Sequence, residues 1–302
     1  MGGEFLFFIE TTISGLMAGV MYALVALGFV LIFKASGIFN FAQGVLALFA
    51  GLTLVGLMEK FGLPPWAAII ATVGVMIVLA WLIERLVLQY LVNQDPIILF
   101  MSTIGLAYVL EGLGDIMWGS DVKVLEIGIP QGAVDWLLDD YGLYIEKLEI
   151  VAAVTGAIMV TGLAVFFNKT RIGRALRAVA DDHQAALSVG ISLRTIWVIV
   201  WSVSGIVALV AGVMWGSKSG VQFSLSLIAL KALPVLILGG FTSIPGAIVG
   251  GLIIGVGEKW AEIYIGSLVG GAIENWFAYV LALGFLLFRP QGLFGERIIE
   301  RV

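Results

Sequence analysis

Residues 195–216 read TIWVIVWSVSGIVALVAGVMWG, an apolar run that no charged residue interrupts. A helix needs about 20 mostly apolar residues to cross the hydrocarbon core of a bilayer, and this run meets that length. Eight further runs, at about 10–33, 38–58, 66–92, 97–118, 149–168, 224–241, 245–264 and 274–289, read as spans in the same way. Across the 302 residues, 61% are hydrophobic and only 12% charged, against about 25% charged in a soluble domain. A soluble globule of this composition would expose large apolar patches, so lipid is its natural solvent. The expected fold is all-α: a polytopic transmembrane helical bundle of about 8–10 spans, forming one domain over 1–302.

Composition also excludes chemistry. There are no cysteines and one histidine, His183, which removes thiolate and multi-histidine metal sites. The net charge of −5 lacks the basic face that nucleic acid requires. No basic residue precedes Lys34, so the first run lacks the positive start of a signal peptide and reads as a permanent span.

Lysine and arginine in short loops set orientation. The densest basic stretch, 169–194, carries Lys169, Arg171, Arg174, Arg177 and Arg194, and the tail carries Arg289, Arg297 and Arg301. Both are assigned to the cytoplasm. The insertion 119–148 is acidic, with Asp121, Glu126, Asp135, Asp139, Asp140 and Glu146 against Lys123 and Lys147, and is assigned to the outside. The N-terminus is then outside and the C-terminus cytoplasmic.

Two spans look irregular. Asn40 and Gln43 place amides at the start of an apolar run, within 37–46. Gly239-Gly240-Phe241-Thr242-Ser243-Ile244-Pro245-Gly246 cannot be an ordinary helix centre. Such a segment reads either as a loop or as a broken helix, and broken helices often mark a transport pathway. Repeated Gly-x-x-x-Gly spacings, at Gly15/Gly19, Gly212/Gly216, Gly246/Gly250, Gly251/Gly255 and Gly266/Gly270, suit close helix packing in lipid.

The chain carries no nucleotide-binding loop. The nearest approach, Gly216-Ser217-Lys218-Ser219, lacks the glycine before the lysine that a phosphate cradle needs. Any ATP-driven work belongs to another chain. Among ionisable residues within spans, Glu111/Asp115 and Glu258/Glu262 read as interfacial carboxylates near outer span ends. Lys231 reads first as a paired or snorkelling lysine, and also as a candidate pathway residue.

The segment Arg171–Ile191 reads RIGRALRAVADDHQAALSVGI. Its alanines and leucines favour helix, and Gly190 can end one. Arg174, Arg177 and Asp181 share a face by their spacing, beside a small surface of Ala178, Ala185 and Ala186. Such an element can seat in a groove on a cytoplasmic partner.

This segment resembles the cytoplasmic coupling segment of permease subunits from branched-chain amino acid ABC importers, through Arg171, Gly173, Arg174, Ala175, Arg177, Ala178, Ala180, Asp182, Ala186, Gly190 and Ile191. Other stretches are similar to that family in order: Gly19-Val20-Met21-Tyr22-Ala23-Leu24, Asn40-Phe41-Ala42-Gln43-Gly44, Ser102-Thr103-Ile104-Gly105-Leu106, Gly239 to Ala247, and Arg289-Pro290-Gln291-Gly292-Leu293-Phe294-Gly295. The length fits the smaller of the family's two permease types. The resemblance implies a complex of a second homologous permease, two ATP-binding subunits that hold ATP and Mg, and a periplasmic substrate-binding protein, with no cofactor in this chain. It implies ATPase coupling through Arg171, Gly173, Arg174, Arg177, Ala178, Asp181, Asp182, Ala186 and Gly190. It places Asn40, Gln43, Ser102 and Ser243 near the translocation path, where Thr103 and Lys231 are further candidates. The family also includes importers of urea and short amides and of aromatic or dicarboxylic solutes. A self-contained channel or facilitator is the competing class, and a membrane-embedded enzyme a third.

Overall fold

The computed structural model describes residues 2–91, 94–181 and 183–295. Among these the protein is helical without β-strands; pairing is limited to isolated bridges of Lys123 with Val221 and Ala133 with Glu146. The helices are α1 (Gly2–Ser36), α2 (Gln43–Phe61), α3 (Pro65–Leu86), α4 (Pro96–Trp118), α5 (Asp135–Tyr141), α6 (Lys147–Lys169), α7 (Arg171–Asp181), α8 (His183–Ser188), α9 (Leu193–Ser219), α10 (Ile228–Gly239), α11 (Ile244–Trp260), α12 (Gly266–Val269) and α13 (Glu274–Phe288).

Seven helices among the described residues are long and apolar enough to cross a membrane, and two shorter apolar helices cover 223–239 and 276–288. These nine elements follow the nine expected runs in order. The first of the two short ones has a local cause. The 223–239 stretch opens as a 3-10 turn and carries Pro234 inside α10, where the missing N–H weakens the helical ladder. The last, α13, has 15 residues and rises only ~22 Å. The first helix is longer than expected and begins at Gly2.

Both irregular segments are true breaks between helices. After α1, Gly37 adopts φ +68°, and Asn40 Oδ1 accepts from the N–H of Ala42 at 3.1 Å. After α10, Gly240 adopts φ +102°, and Ser243 Oγ accepts from the N–H of Gly246 at 3.0 Å, capping α11.

The chain divides into two compact units, one of residues 1–26, 128–160 and 230–302, the other of residues 27–127 and 161–229. In the first unit, α1 and α11 meet backbone to backbone. A Cβ on Gly255 would lie 2.4 Å from both Gly15 O and Gly19 N, and one on Gly251 2.6 Å from Gly19 O. Gly246 and Gly250 bring α11 equally close to α10, where a Cβ would fall 2.1 Å from Gly239 O and 2.8 Å from Val235 O. The spacings Gly15/Gly19, Gly246/Gly250 and Gly251/Gly255 are thus helix-crossing seams, whereas Gly266/Gly270 is not one: Gly270, at φ +97°, ends the short α12 with nothing within 4 Å of a built Cβ. The closing turn packs on the α10–α11 break: Leu293 N–H donates to Leu238 O at 2.8 Å and Phe294 N–H to Gly239 O at 3.2 Å.

In the second unit, α2 and α9 are the most enclosed spans, packed on each other; α3 lies against both and α4 against α2. Gly212 allows this contact, since a Cβ there would lie 2.4 Å from Ala47 O. Glu84, buried near the end of α3, is paired with Arg194 at the start of α9 at 2.9 Å. At the other ends, the 119–127 segment is anchored by Lys123, which pairs with Glu59 at 2.9 Å and exchanges backbone hydrogen bonds with Val221.

Candidate coupling and translocation sites

The segment expected to couple forms α7 and α8, and α7 folds back on the end of α6. Thr170 makes the corner: its Oγ1 donates to Phe166 O at 2.6 Å and accepts from the N–H of Gly173 at 3.0 Å. Gly173 sits so close to α6 that a Cβ would fall 2.2 Å from Phe167 O. The guanidinium of Arg177 donates to that same carbonyl. This satisfies an acceptor that the end of a helix otherwise leaves without a partner.

Helical periodicity then sorts the faces of α7. Gly173, Leu176 and Val179 are buried, Arg177 and Ala178 half-buried, and Arg171 and Arg174 exposed. In α8, Ala186 is buried, while Gly190, at φ +85°, ends the helix in the open. Asp182 lies outside the described residues, and Asp181 is described by its backbone alone. Ile172, Leu187 and Val189 are exposed apolar side chains that the sequence reading passed over. Their signal was available as hydrophobic residues off the buried register of a polar segment.

The polar residues assigned to the pathway fall into separate places. Asn40 and Gln43 are buried in the second unit. Asn40 Nδ2 donates to Gln43 Oε1 at 3.3 Å, Ser204 Oγ donates to the same oxygen at 2.7 Å, and Gln43 Nε2 donates to Ser204 O at 3.4 Å. Ser204 was missed; its signal was a hydroxyl beside Gly205 inside the most uniformly apolar run. Thr103 joins them by accepting from the N–H of Phe41 at 3.1 Å, which ties the α1–α2 break to α4. Phe39 and Phe41 pack on Phe100 around that contact, with ring centroids 6.2 and 6.0 Å apart. Ser102 is spent within its own helix, donating to Leu99 O at 2.6 Å. Lys231 and Ser243 belong to the first unit.

Lys231 is paired. Its Nζ donates to Glu258 Oε1, reaches Glu274 O at 3.3 Å, and lies 5.9 Å from the centroid of the Tyr22 ring. Tyr22 OH also approaches Glu258 Oε1, at 3.4 Å. The expectation that Glu258 is a water-facing interfacial carboxylate is corrected here, because its residue is 1% exposed. The cause is helical phase: Gly251, Gly255 and Glu258 lie on one face of α11, the face that packs on α1. Glu262 is also engaged. Its carboxylate accepts from the N–H groups of Ala272, Ile273 and Glu274 at 2.9, 2.7 and 3.0 Å. It thereby holds a turn in which Ala272, a non-glycine, has φ +55°. Glu111 is half-buried and Asp115 exposed. No cluster of His, Asp or Glu fit to hold a metal occurs among the described residues.

Residues 11–289 match the family model described as branched-chain amino acid transport system / permease component. The chain belongs to this permease family. It is 29% identical to the high-affinity branched-chain amino acid transport system permease protein BraD of Pseudomonas aeruginosa, over 99% of both chains. It is 27% identical to the corresponding permease protein LivH of Escherichia coli, over the full length of both. Among solved structures, it is similar in fold to PsaBC from Streptococcus pneumoniae in complex with Fab, with TM-score 0.50, 17% identity, and 91% of this chain and 89% of that one covered. As a family permease with seven long apolar helices among its described residues, it is a multi-pass membrane protein.

Proposed function

We propose that this chain is the transmembrane permease subunit of an ATP-driven importer for branched-chain amino acids. It forms half of the translocation pathway beside a second homologous permease. Two separate subunits bind ATP and Mg and hydrolyse the nucleotide, and a periplasmic binding protein delivers the solute. The N-terminus faces outside and the C-terminus the cytoplasm of a bacterial-type inner membrane.

The observation that carries this reading is the fixed seating of α7. A glycine against Phe167 O and an arginine on the same carbonyl seat the helix closely on α6, and Arg171 and Arg174 remain exposed. A closely seated lever with a charged outer face suits transmission of ATPase closure to membrane helices. A self-contained channel has no use for one. The relatives' names supply the solute class. The exposed Trp136, Tyr141 and Tyr144 around the acidic helix α5 suit a docking surface for the binding protein.

Copurification tests the assembly. The chain is expected to bring down a second permease and two ATP-binding subunits, and the complex in liposomes to take up leucine only with ATP and the binding protein. A stable, solute-conducting homo-oligomer without an ATPase would refute the reading. Uptake of urea or an aromatic acid instead of leucine would change the cargo and keep the mechanism.

A further inference from the structure

Charged groups inside a membrane protein are costly and are found paired or at a functional site. Glu258 and Lys231 are paired, but unevenly. Glu258 Oε1 takes both Lys231 Nζ and the Tyr22 hydroxyl, while Oε2 is buried and has no hydrogen-bond partner among the described residues. The Glu258 side chain is 1% exposed and that of Lys231 23%, so a solute meets the ammonium first and the carboxylate only once Lys231 turns aside. A carboxylate offers about four acceptor positions and an ammonium three donors. The spare oxygen therefore has room in its chemistry for a second cation, and the Tyr22 ring adds a face that attracts one.

We propose that Lys231 and Glu258 form an exchangeable ion pair that takes the two charges of a zwitterionic α-amino acid as it passes, Lys231 the carboxylate and Glu258, through Oε2, the ammonium. The inference rests on the amino acid cargo proposed above. Separating the pair unaided strands two charges away from water, and an uncompensated buried charge is strongly unfavourable. A zwitterion supplies both counter-charges in one event. An amine leaves Lys231 unmatched, a simple carboxylate leaves Glu258 unmatched, and a neutral amide compensates neither. The ammonium nitrogen and carboxylate carbon of an amino acid are joined through one Cα and lie only ~2.5 Å apart. The pair therefore needs to part by side-chain movement alone. Lys231 thus acts as a specificity residue for doubly charged solutes rather than only as a helix tie.

Two measurements on the intact importer complex test this. In the Lys231→Met/Glu258→Gln double variant both charges are absent, so none is stranded. It is expected to assemble with wild-type thermal stability yet to lose leucine uptake by about tenfold or more. Wild-type uptake by an assembled double variant would overturn the site and leave a purely structural tie. In the wild-type complex, reductive methylation of Lys231 is read without the binding protein, in millimolar leucine, isoamylamine or 4-methylpentanoate. Leucine is expected to change the Lys231 rate relative to the other lysines, and the amine and the acid are not. If the double variant fails to assemble, an unchanged rate in leucine overturns the proposal. Absence of leucine uptake by the wild-type complex would instead refute the cargo reading, and the site with it.

Discussion

Asn40 and Gln43, three residues apart at a helix break, hydrogen-bond to each other at 3.3 Å with both side chains buried. Gln43 Oε1 is also the acceptor for Ser204, which lies 161 positions away in sequence. One amide therefore closes the turn after α1 and ties it to α9. Changing Gln43 to Leu leaves Asn40 and Ser204 with buried polar groups to satisfy elsewhere, at a cost of about 1–3 kcal/mol. A clearly lowered melting temperature of the detergent-solubilised protein is expected. An unchanged one would mean the network contributes nothing to stability.

Gly28 presses on the same amide. A Cβ there would lie 2.2 Å from Gln43 Nε2, so Gly28→Ala is expected to destabilise by about 1–3 kcal/mol through overpacking. The clash is with a side chain, so shortening that side chain should relieve it. The double variant Gly28→Ala/Gln43→Ala is therefore expected to be more stable than the two single losses add up to. Strict additivity in a thermal double-mutant cycle would show that the two positions do not touch.

The α1–α11 seam makes a sharper contrast. Gly255 faces the backbone of Gly15 and Gly19, while a Cβ on Gly257 would meet side chains alone, Phe277 Cε1 at 3.5 Å and Leu281 Cδ2 at 3.6 Å. Alanine at 255 must push two helices apart, whereas alanine at 257 makes ordinary contacts. The expected result is a loss of about 1–3 kcal/mol at 255 and little change at 257. Equal melting temperatures for the two variants would contradict the seam.

Coupling is tested at the corner of α6 and α7. Gly173→Ala places a methyl group against Phe167 O, but Gly162 in α6 has nothing within 4 Å of a built Cβ. In the assembled importer, Gly173→Ala should insert normally, hydrolyse ATP and transport poorly, and Gly162→Ala should match wild type. Normal transport per ATP by Gly173→Ala would remove α7 from the coupling role.

The arginines of α7 divide by task. Arg171 and Arg174 are exposed, and Arg177 is committed to Phe167 O. Reversing the first two to Glu is expected to weaken ATPase association while the isolated permease keeps its melting temperature. Arg177→Gln is expected to cost the permease about 1–3 kcal/mol. Pull-down and melting curves, measured on the same preparations, check both halves. Loss of stability in the Arg171→Glu/Arg174→Glu variant would place those side chains in the fold instead.

Much of the architecture was legible before the structure. Each apolar run carries its own solvation preference, so nine elements appear in the expected order, and breaks fall at Gly37 and Gly240. The glycine spacings announced close packing but not its partners: the seam of Gly251 and Gly255 lies against α1, and that of Gly246 and Gly250 against α10. The candidate site was less legible. Arg174 and Arg177 look equivalent along a helical wheel, yet one is exposed and the other holds a carbonyl. Glu258 looked like a rim carboxylate because it sits late in its span.

By itself, the sequence determined the solvent, the class of fold, the order of the spans and the family. The first three depend on local composition, because a bilayer of fixed thickness judges each run of about 20 residues separately; the family follows from the order of local motifs along the chain. Tertiary structure alone decided which polar groups meet. Gln43 with Ser204, Tyr22 with Glu258 and Lys231 with Glu258 lie 161, 236 and 27 positions apart. Such contacts depend on the rotation and crossing of packed helices, which no local window of residues records. Inside lipid, where no water can stand in for a missing partner, those meetings separate a buried ion pair from an isolated charge.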